Sequence, residues 1–158
     1  MRDSTGTPRR LSEWKGRLLV VNFWATWCEP CQREIPLLAR LHRERAAQGF
    51  EVVGIAVDLR AAVLKYAHHA RIDYPVLVGE QDGLAAVTAL GMDTVFPFTV
   101  FADREGRIIT LKIGELRPRE ASFILDRMHE LDQGRLELAA ARVQIASGIA
   151  AMAAQQAR

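Results

Sequence analysis

The chain has 158 residues, enough to bury one adequate core and too few for two ordinary domains. Lys and Arg number 21 against 19 Asp and Glu; the net charge of +2, with the two signs interspersed, excludes a large electrostatic footprint for nucleic acid. Apolar residues make up 49% of the chain, ordinary for a soluble globular protein, and no run of about 20 uninterrupted apolar residues is present to span a membrane.

Residues 1–10 are polar, carry Pro8, Arg9 and Arg10, and lack the apolar centre of a secretory signal. They are expected to be a flexible N-terminal segment. Residues 18–24 form a near-continuous apolar run, which fits a central strand covered on both faces. Residues 31–48 read as a helix with Ile35, Leu38, Ala39 and Leu41 on one stripe; Pro36 should kink it and Gly49 should end it. The Val/Ile-rich stretch 51–58 reads as a second buried strand. A helix over 59–71, a short strand over 75–78 and a short helix over 82–90 closed by Gly91 follow. Strands at 98–102 and 108–113 join through the turn at 103–106. Pro118 opens a helix running to about Gln133, and Gly134 suggests its end. The tail to Arg158 is alanine-rich. Ile124, Leu131, Leu138, Ile145 and Met152 recur every seven residues, with Met128 and Ile149 on the same stripe. That stripe suits a helix folded back on its own domain or one that pairs with a second copy as a homodimer; a disordered tail is the third alternative.

The only two cysteines, Cys28 and Cys31, lie between the first long strand and its helix. That position puts two thiols at a helix N-terminus, where unpaired N–H groups and the helix dipole favour a thiolate. A thiolate can attack a disulfide, and a thiol three residues on can resolve the mixed disulfide. Zinc would need two more good ligands, and none of His42, His68, His69 and His129 has ligand spacing to the pair. Haem attachment needs His after the second cysteine, where Gln32 stands. A purely structural bridge over two residues closes almost no loop. No metal and no cofactor are expected, the thiols themselves carrying the chemistry.

The run from Val20 to Pro36, Val-Val-Asn-Phe-Trp-Ala-Thr-Trp-Cys-Glu-Pro-Cys-Gln-Arg-Glu-Ile-Pro, resembles the TlpA/ResA-like branch of the thioredoxin superfamily. So do Val95-Phe96-Pro97-Phe98-Thr99-Val100 and the turn Asp103-Arg104-Glu105-Gly106, with the resemblance covering roughly residues 11–132. It implies an α/β thioredoxin-like fold: a central mixed β-sheet flanked by helices, with a helix–strand insertion at about 59–78. The organisation is then a flexible 1–10, a thioredoxin-like domain over 11–133 and a helical extension over 134–158. The branch comprises bacterial extracytoplasmic thiol–disulfide proteins, so a periplasmic or extracytoplasmic setting is implied, with a signal or anchor outside this chain; a cytoplasmic one is the lesser alternative.

Within that frame Cys28 is the expected nucleophile and Cys31 the resolving thiol. Pro30 withholds one N–H from the thiolate, and Glu29 places like charge beside it; both make the thiol less acidic and the pair more reducing. Glu34, one turn past Cys31, matches a family glutamate and is carried over as the proton donor and acceptor for Cys31. The strand position where thioredoxin has a buried aspartate is Asn22, which cannot titrate. Pro97 resembles the family's cis-proline, with Phe96 offering its backbone to an extended substrate. Trp27 would shield the thiols and give an apolar docking face; Trp24 is expected in the core. His68 and His69 suggest copper less than a solvated helix face.

The leading expectation is a reductase of protein disulfides, with an upstream membrane thiol-transfer donor and clients of the apocytochrome c or copper-site kind. A disulfide oxidase or isomerase using the same site, and a copper-handling binding protein, are the alternatives.

Overall fold

The computed structural model describes residues 1–93 and 95–157; Arg158, the last residue of the expected tail, lies outside the described residues. In chain order the elements are β1 (Arg2–Asp3), a 3-10 turn (Leu11–Trp14), β2 (Leu18–Trp24), α1 (Glu29–Glu44), a second 3-10 turn (Ala46–Gln48), β3 (Phe50–Ala56), α2 (Arg60–His69), β4 (Val76–Val78), α3 (Gln81–Ala89), β5 (Phe98–Ala102), β6 (Ile108–Ile113), α4 (Pro118–Asp132) and α5 (Leu138–Gln156).

The strands form one mixed sheet in the order β1-β4-β3-β2-β5-β6. β2, β3 and β4 run parallel, while β5, β6 and β1 each run antiparallel to their neighbours. All seven residues of β2 are buried, as its continuous apolar character requires of a strand covered on both faces. Side chains alternate between those faces. Leu18 and Val20 join Leu38 and Leu41 of α1, Ile124 and Leu125 of α4, and Ile145 of α5. Leu19, Val21 and Phe23 point the other way, onto Trp14 and Val87. Asn22 shares parity with Leu18 and Val20 and therefore points at α1. A one-residue slip of β2 would exchange the two apolar sets, so packing fixes this polar side chain on the α1 side.

The expected mixed sheet flanked by helices is present, with the α2–β4 insertion. Three local readings change. α1 begins at Glu29, two residues before the expected start, because Cys28 serves as its N-cap. The helix runs on both sides of Pro36 and ends at Glu44; a 3-10 turn then reaches Gly49, whose φ of +92° favours glycine. Residues 1–10, expected to be flexible, are tied down. β1 pairs with β4 through Arg2↔Val78 and Asp3↔Leu77. Arg60 of α2 donates to the carbonyls of Asp3 and Ser4 at 3.0 and 2.9 Å, and Arg9 lies 4.8 Å over the Trp14 ring. The physical reason is the edge of β4: its unpaired backbone groups take a partner strand, and the terminus is the segment within reach.

Within the chain the tail is a helix that packs on its own domain. Ile124, Met128 and Ile145 of the heptad stripe are buried within one chain, and Leu131, Leu138 and Ile149 pack against the same cluster.

Candidate active site

A strand ending in Trp24 and a helix starting at Glu29 leave a turn that delivers Cys28 to the helix N-terminus. The turn is held from two sides. Thr26 donates its N–H (3.1 Å) and its hydroxyl to Asp58, just past β3, and its carbonyl accepts from the Gln32 amide at 2.7 Å. Cys28 and Cys31 are joined as a disulfide. The Cys28 Sγ accepts the Cys31 backbone N–H at 3.3 Å, as an N-cap side chain does. That N–H and the helix dipole are therefore in place to stabilise a Cys28 thiolate once the bridge opens. Cys28 keeps 5% of its surface exposed and Cys31 none, so only the first cysteine reaches the surface.

Glu34 lies on α1 three residues past Cys31 and is 1% exposed. The alternation of β2 brings Asn22 to it: Asn22 Nδ2 donates to Glu34 Oε1 at 2.5 Å and to Thr99 Oγ1 at 3.1 Å. Thr99 is the register partner of Asn22 across the β2–β5 ladder. The second carboxylate oxygen, Oε2, accepts the Leu116 backbone N–H at 2.7 Å. Burial pushes the Glu34 carboxyl up to about 7, against the pull of the Leu116 and Asn22 hydrogen bonds toward the charged form. A carboxyl poised there can both take and give a proton near neutrality.

The Phe96–Pro97 peptide is cis. Phe96 packs against the cluster that contains both cysteines. Phe23, Phe98, Phe96 and Trp27 form a row of rings from the core to the surface, with successive centroids 4.5, 6.3 and 6.2 Å apart. Trp27 at the outer end is 68% exposed, while Trp24 is fully buried. An open groove of about 590 Å³ lies beside this end, bounded by Trp27, Phe96, Leu59, Leu84, Asp58 and Glu80.

Cys28, Cys31, Trp27, Glu29, Pro30, Phe96 and Pro97 all fall at this end of the sheet. Glu29 is exposed at the first helical position, where water screens its charge. His68 and His69 are exposed at the end of α2. Among the described residues no group of three or more His, Cys, Asp or Glu could hold a metal ion, and no helix is long and apolar enough to cross a membrane. The sequence reading missed Thr99, Thr26, Asp58 and the Leu116 N–H. Thr99 had a signal, a polar residue inside an apolar strand; a backbone donor 82 residues from its acceptor has none.

Together these features define a thioredoxin-like domain with a helix-capping Cys-x-x-Cys disulfide over a buried carboxyl. The chain belongs to the AhpC/TSA family, whose model matches residues 1–133. It is 30% identical over 115 residues to the thiol-disulfide oxidoreductase ResA of Geobacillus kaustophilus, covering 72% of this chain and 64% of that protein. It is 29% identical over 136 residues to ResA of Bacillus subtilis, covering 85% and 72%. The chain thus spans a little under two thirds of the first of these relatives. Among solved structures, a thiol:disulfide interchange protein of Chlorobium tepidum superposes with a TM-score of 0.69 at 29% identity, covering 83% of this chain and 90% of that one. The TlpA/ResA-like resemblance carried by residues 20–36 and 95–106 agrees with these relatives.

Proposed function

We propose that the protein is a thiol–disulfide oxidoreductase that reduces disulfides in protein clients. The observation that carries this reading is the asymmetry of the pair: Cys28, slightly exposed, caps the helix, while Cys31 is sealed, one helical turn before a buried carboxyl raised to about 7. In the reduced protein the Cys28 thiolate attacks a client disulfide, forming a mixed disulfide and releasing one client thiolate, which takes a proton from solvent. Glu34 then accepts the Cys31 proton. The Cys31 thiolate attacks Cys28 Sγ, the second client thiol leaves, and the pair ends as the disulfide. Two electrons pass to the client, and Glu34 gives up its proton with the departing thiolate.

An extended client segment pairs with the backbone at Phe96 and lies against Trp27 and the groove beside it. The direction of electron flow rests on Pro30 and Glu29. Because Glu29 is exposed, Pro30 carries the larger share, and an oxidase or isomerase remains the reading that a high potential would favour. The family resemblance supports an extracytoplasmic setting, clients of the apocytochrome c or copper-site kind, and recharging by a membrane thiol-transfer donor.

The test is trapping. Reduced Cys31→Ser, offered a disulfide-containing unfolded protein, should accumulate a mixed disulfide through Cys28, visible on a non-reducing gel and cleared by dithiothreitol. Cys28→Ser should trap little or none. Equal trapping by both variants, or by neither, would remove the assigned roles.

A further inference from the structure

The family domain ends at residue 133, and α5 lies wholly beyond it. α5 nevertheless packs along the element that grips the buried carboxyl. Four residues between β6 and α4 carry the connection. Gly114 donates its N–H to the Pro97 carbonyl at 2.9 Å. Glu115 pairs with Arg33 of α1 at 3.0 Å. Leu116 donates its N–H to Glu34, and Arg117 caps α4 by donating its N–H to Glu120 at 3.2 Å. This short junction therefore touches both halves of the site, the cis-proline loop and the helix carrying Cys31 and Glu34.

α5 holds the junction from behind. The Leu116 side chain is buried in the same cluster as Ala121, Ile124 and Met128 of α4, to which α5 adds Ile145. Gly148 meets the Phe123 ring of α4 so closely that any β-carbon there would run into it. Arg142 chelates the Ile108 carbonyl at the start of β6 through two N–H donors, at 3.2 and 2.8 Å. Arg119, in the first turn of α4, reaches Gln155 at the far end of α5 at 3.2 Å. The two helices thus lie antiparallel, and α5 spans α4 back to the junction.

We infer that α5 is a positioning element for the proton-handling carboxyl: by clamping β6 and α4 it fixes the junction whose Leu116 N–H holds Glu34. The catalytic meaning of this grip rests on the reading of Glu34 given above; the grip itself does not. Other groups also act on Glu34: the Asn22 amide from β2, and Glu115 from the junction and Lys112 from β6 with opposite signs; Tyr74, from the segment before β4, feels the Glu34 charge in turn and is itself pushed up. α5 contributes no charge to that set, so its effect must come through position. Loosening α5 weakens the hydrogen bond to the charged form, and the Glu34 carboxyl then releases its proton at higher pH.

The test uses the full oxidised chain labelled with 13C at glutamate carboxyls, the Glu34 signal being assigned by its loss in Glu34→Gln. Gly148→Leu wedges α5 away from α4, and Arg142→Gln unpins β6 more gently should the first variant fail to fold. Val143→Ala, on the exposed side of α5, is the control. Either loosening variant should move the Glu34 midpoint to higher pH by about half a unit or more. The Leu116 amide should lose hydrogen-exchange protection alongside it, and the control should match wild type. A midpoint that stays put or falls while α5 is loosened, as its own amides report, would overturn the inference. Should Glu34 prove unnecessary for turnover, the proposed proton role would fail while this coupling could still be read.

Discussion

Replacing Glu34 by Gln isolates the cost of keeping a carboxyl under the sheet. In the folded protein Glu34 is raised from 4.5 to about 7, chiefly by burial. Between those two values the native state holds a proton that the unfolded chain has released. Fewer protons bound in the unfolded state means that stability falls as pH rises. The protonated side chain's contribution is complete below about pH 4.5 and is lost as pH rises through about 7. At 1.36 kcal/mol per pH unit, the loss amounts to about 3 kcal/mol, a large fraction of ordinary domain stability. Asn22 can accommodate either form: its Oδ1 is buried without a partner among the described residues, so a half-turn of the amide would offer protonated Glu34 an acceptor. Glutamine cannot ionise, so Glu34→Gln should keep its low-pH stability at high pH. Its amide oxygen can keep the Leu116 donor while its NH2 meets the Oδ1 of a turned Asn22, so any cost of the exchange is the same at all pH values. Urea unfolding of the oxidised proteins at pH 5 and pH 8 measures this directly. The drop in stability between the two pH values should be smaller in Glu34→Gln by about 2.5 kcal/mol, since about two pH units of the shift lie above pH 5 and contributions common to the two proteins cancel. Equal drops in the two proteins would refute a buried, raised carboxyl at this position.

Trp27→Ala removes an exposed ring at the end of the aromatic row. It should raise KM for an unfolded protein disulfide by about tenfold with little change in kcat or Tm, as truncation of an interface anchor does; steady-state kinetics on such a client check it. Gly49→Ala forces a β-carbon into a left-handed turn, with φ of +92°, and into the Arg104 side chain, which is bonded to Asp132 and to the Gly16 carbonyl. Its urea midpoint should fall by the equivalent of about 1–2 kcal/mol while the thiol chemistry is unchanged. Arg60→Ala unties the N-terminal segment from α2. Exchange of the amides of residues 2–9 should accelerate without a matching loss of global stability.

The parts of the fold legible in the sequence are those set by short-range pattern. The seven-residue apolar run of β2, the β5–β6 hairpin and the proline opening α4 appear where they were read, because burial on both faces, turn chemistry and the missing proline N–H act locally. The Cys-x-x-Cys pair was legible because a strand running into a helix dictates its environment. The N-terminal strand was not. Two residues carry no periodicity, and pairing with β4 depends on an edge that exists only after the sheet has formed. The fate of the tail was open for a similar reason: a heptad stripe states that one face is apolar and leaves unsaid what covers it, and only packing on α4 and β6 decides. The partners of Glu34 show the sharpest limit. Asn22 could be placed by strand parity, but the Leu116 N–H is a backbone group whose position depends on how β6, α4 and α5 pack.

The central claim, that Cys28 and Cys31 form a reducing redox pair, is tested most directly by their reduction potential. The protein is equilibrated in graded thiol/disulfide buffers and its free thiols are trapped by alkylation. The expected value lies at or below about −230 mV, toward the thioredoxin end of the scale. A value near about −120 mV, that of a strong oxidant, would contradict the claim and make the protein one that inserts disulfides.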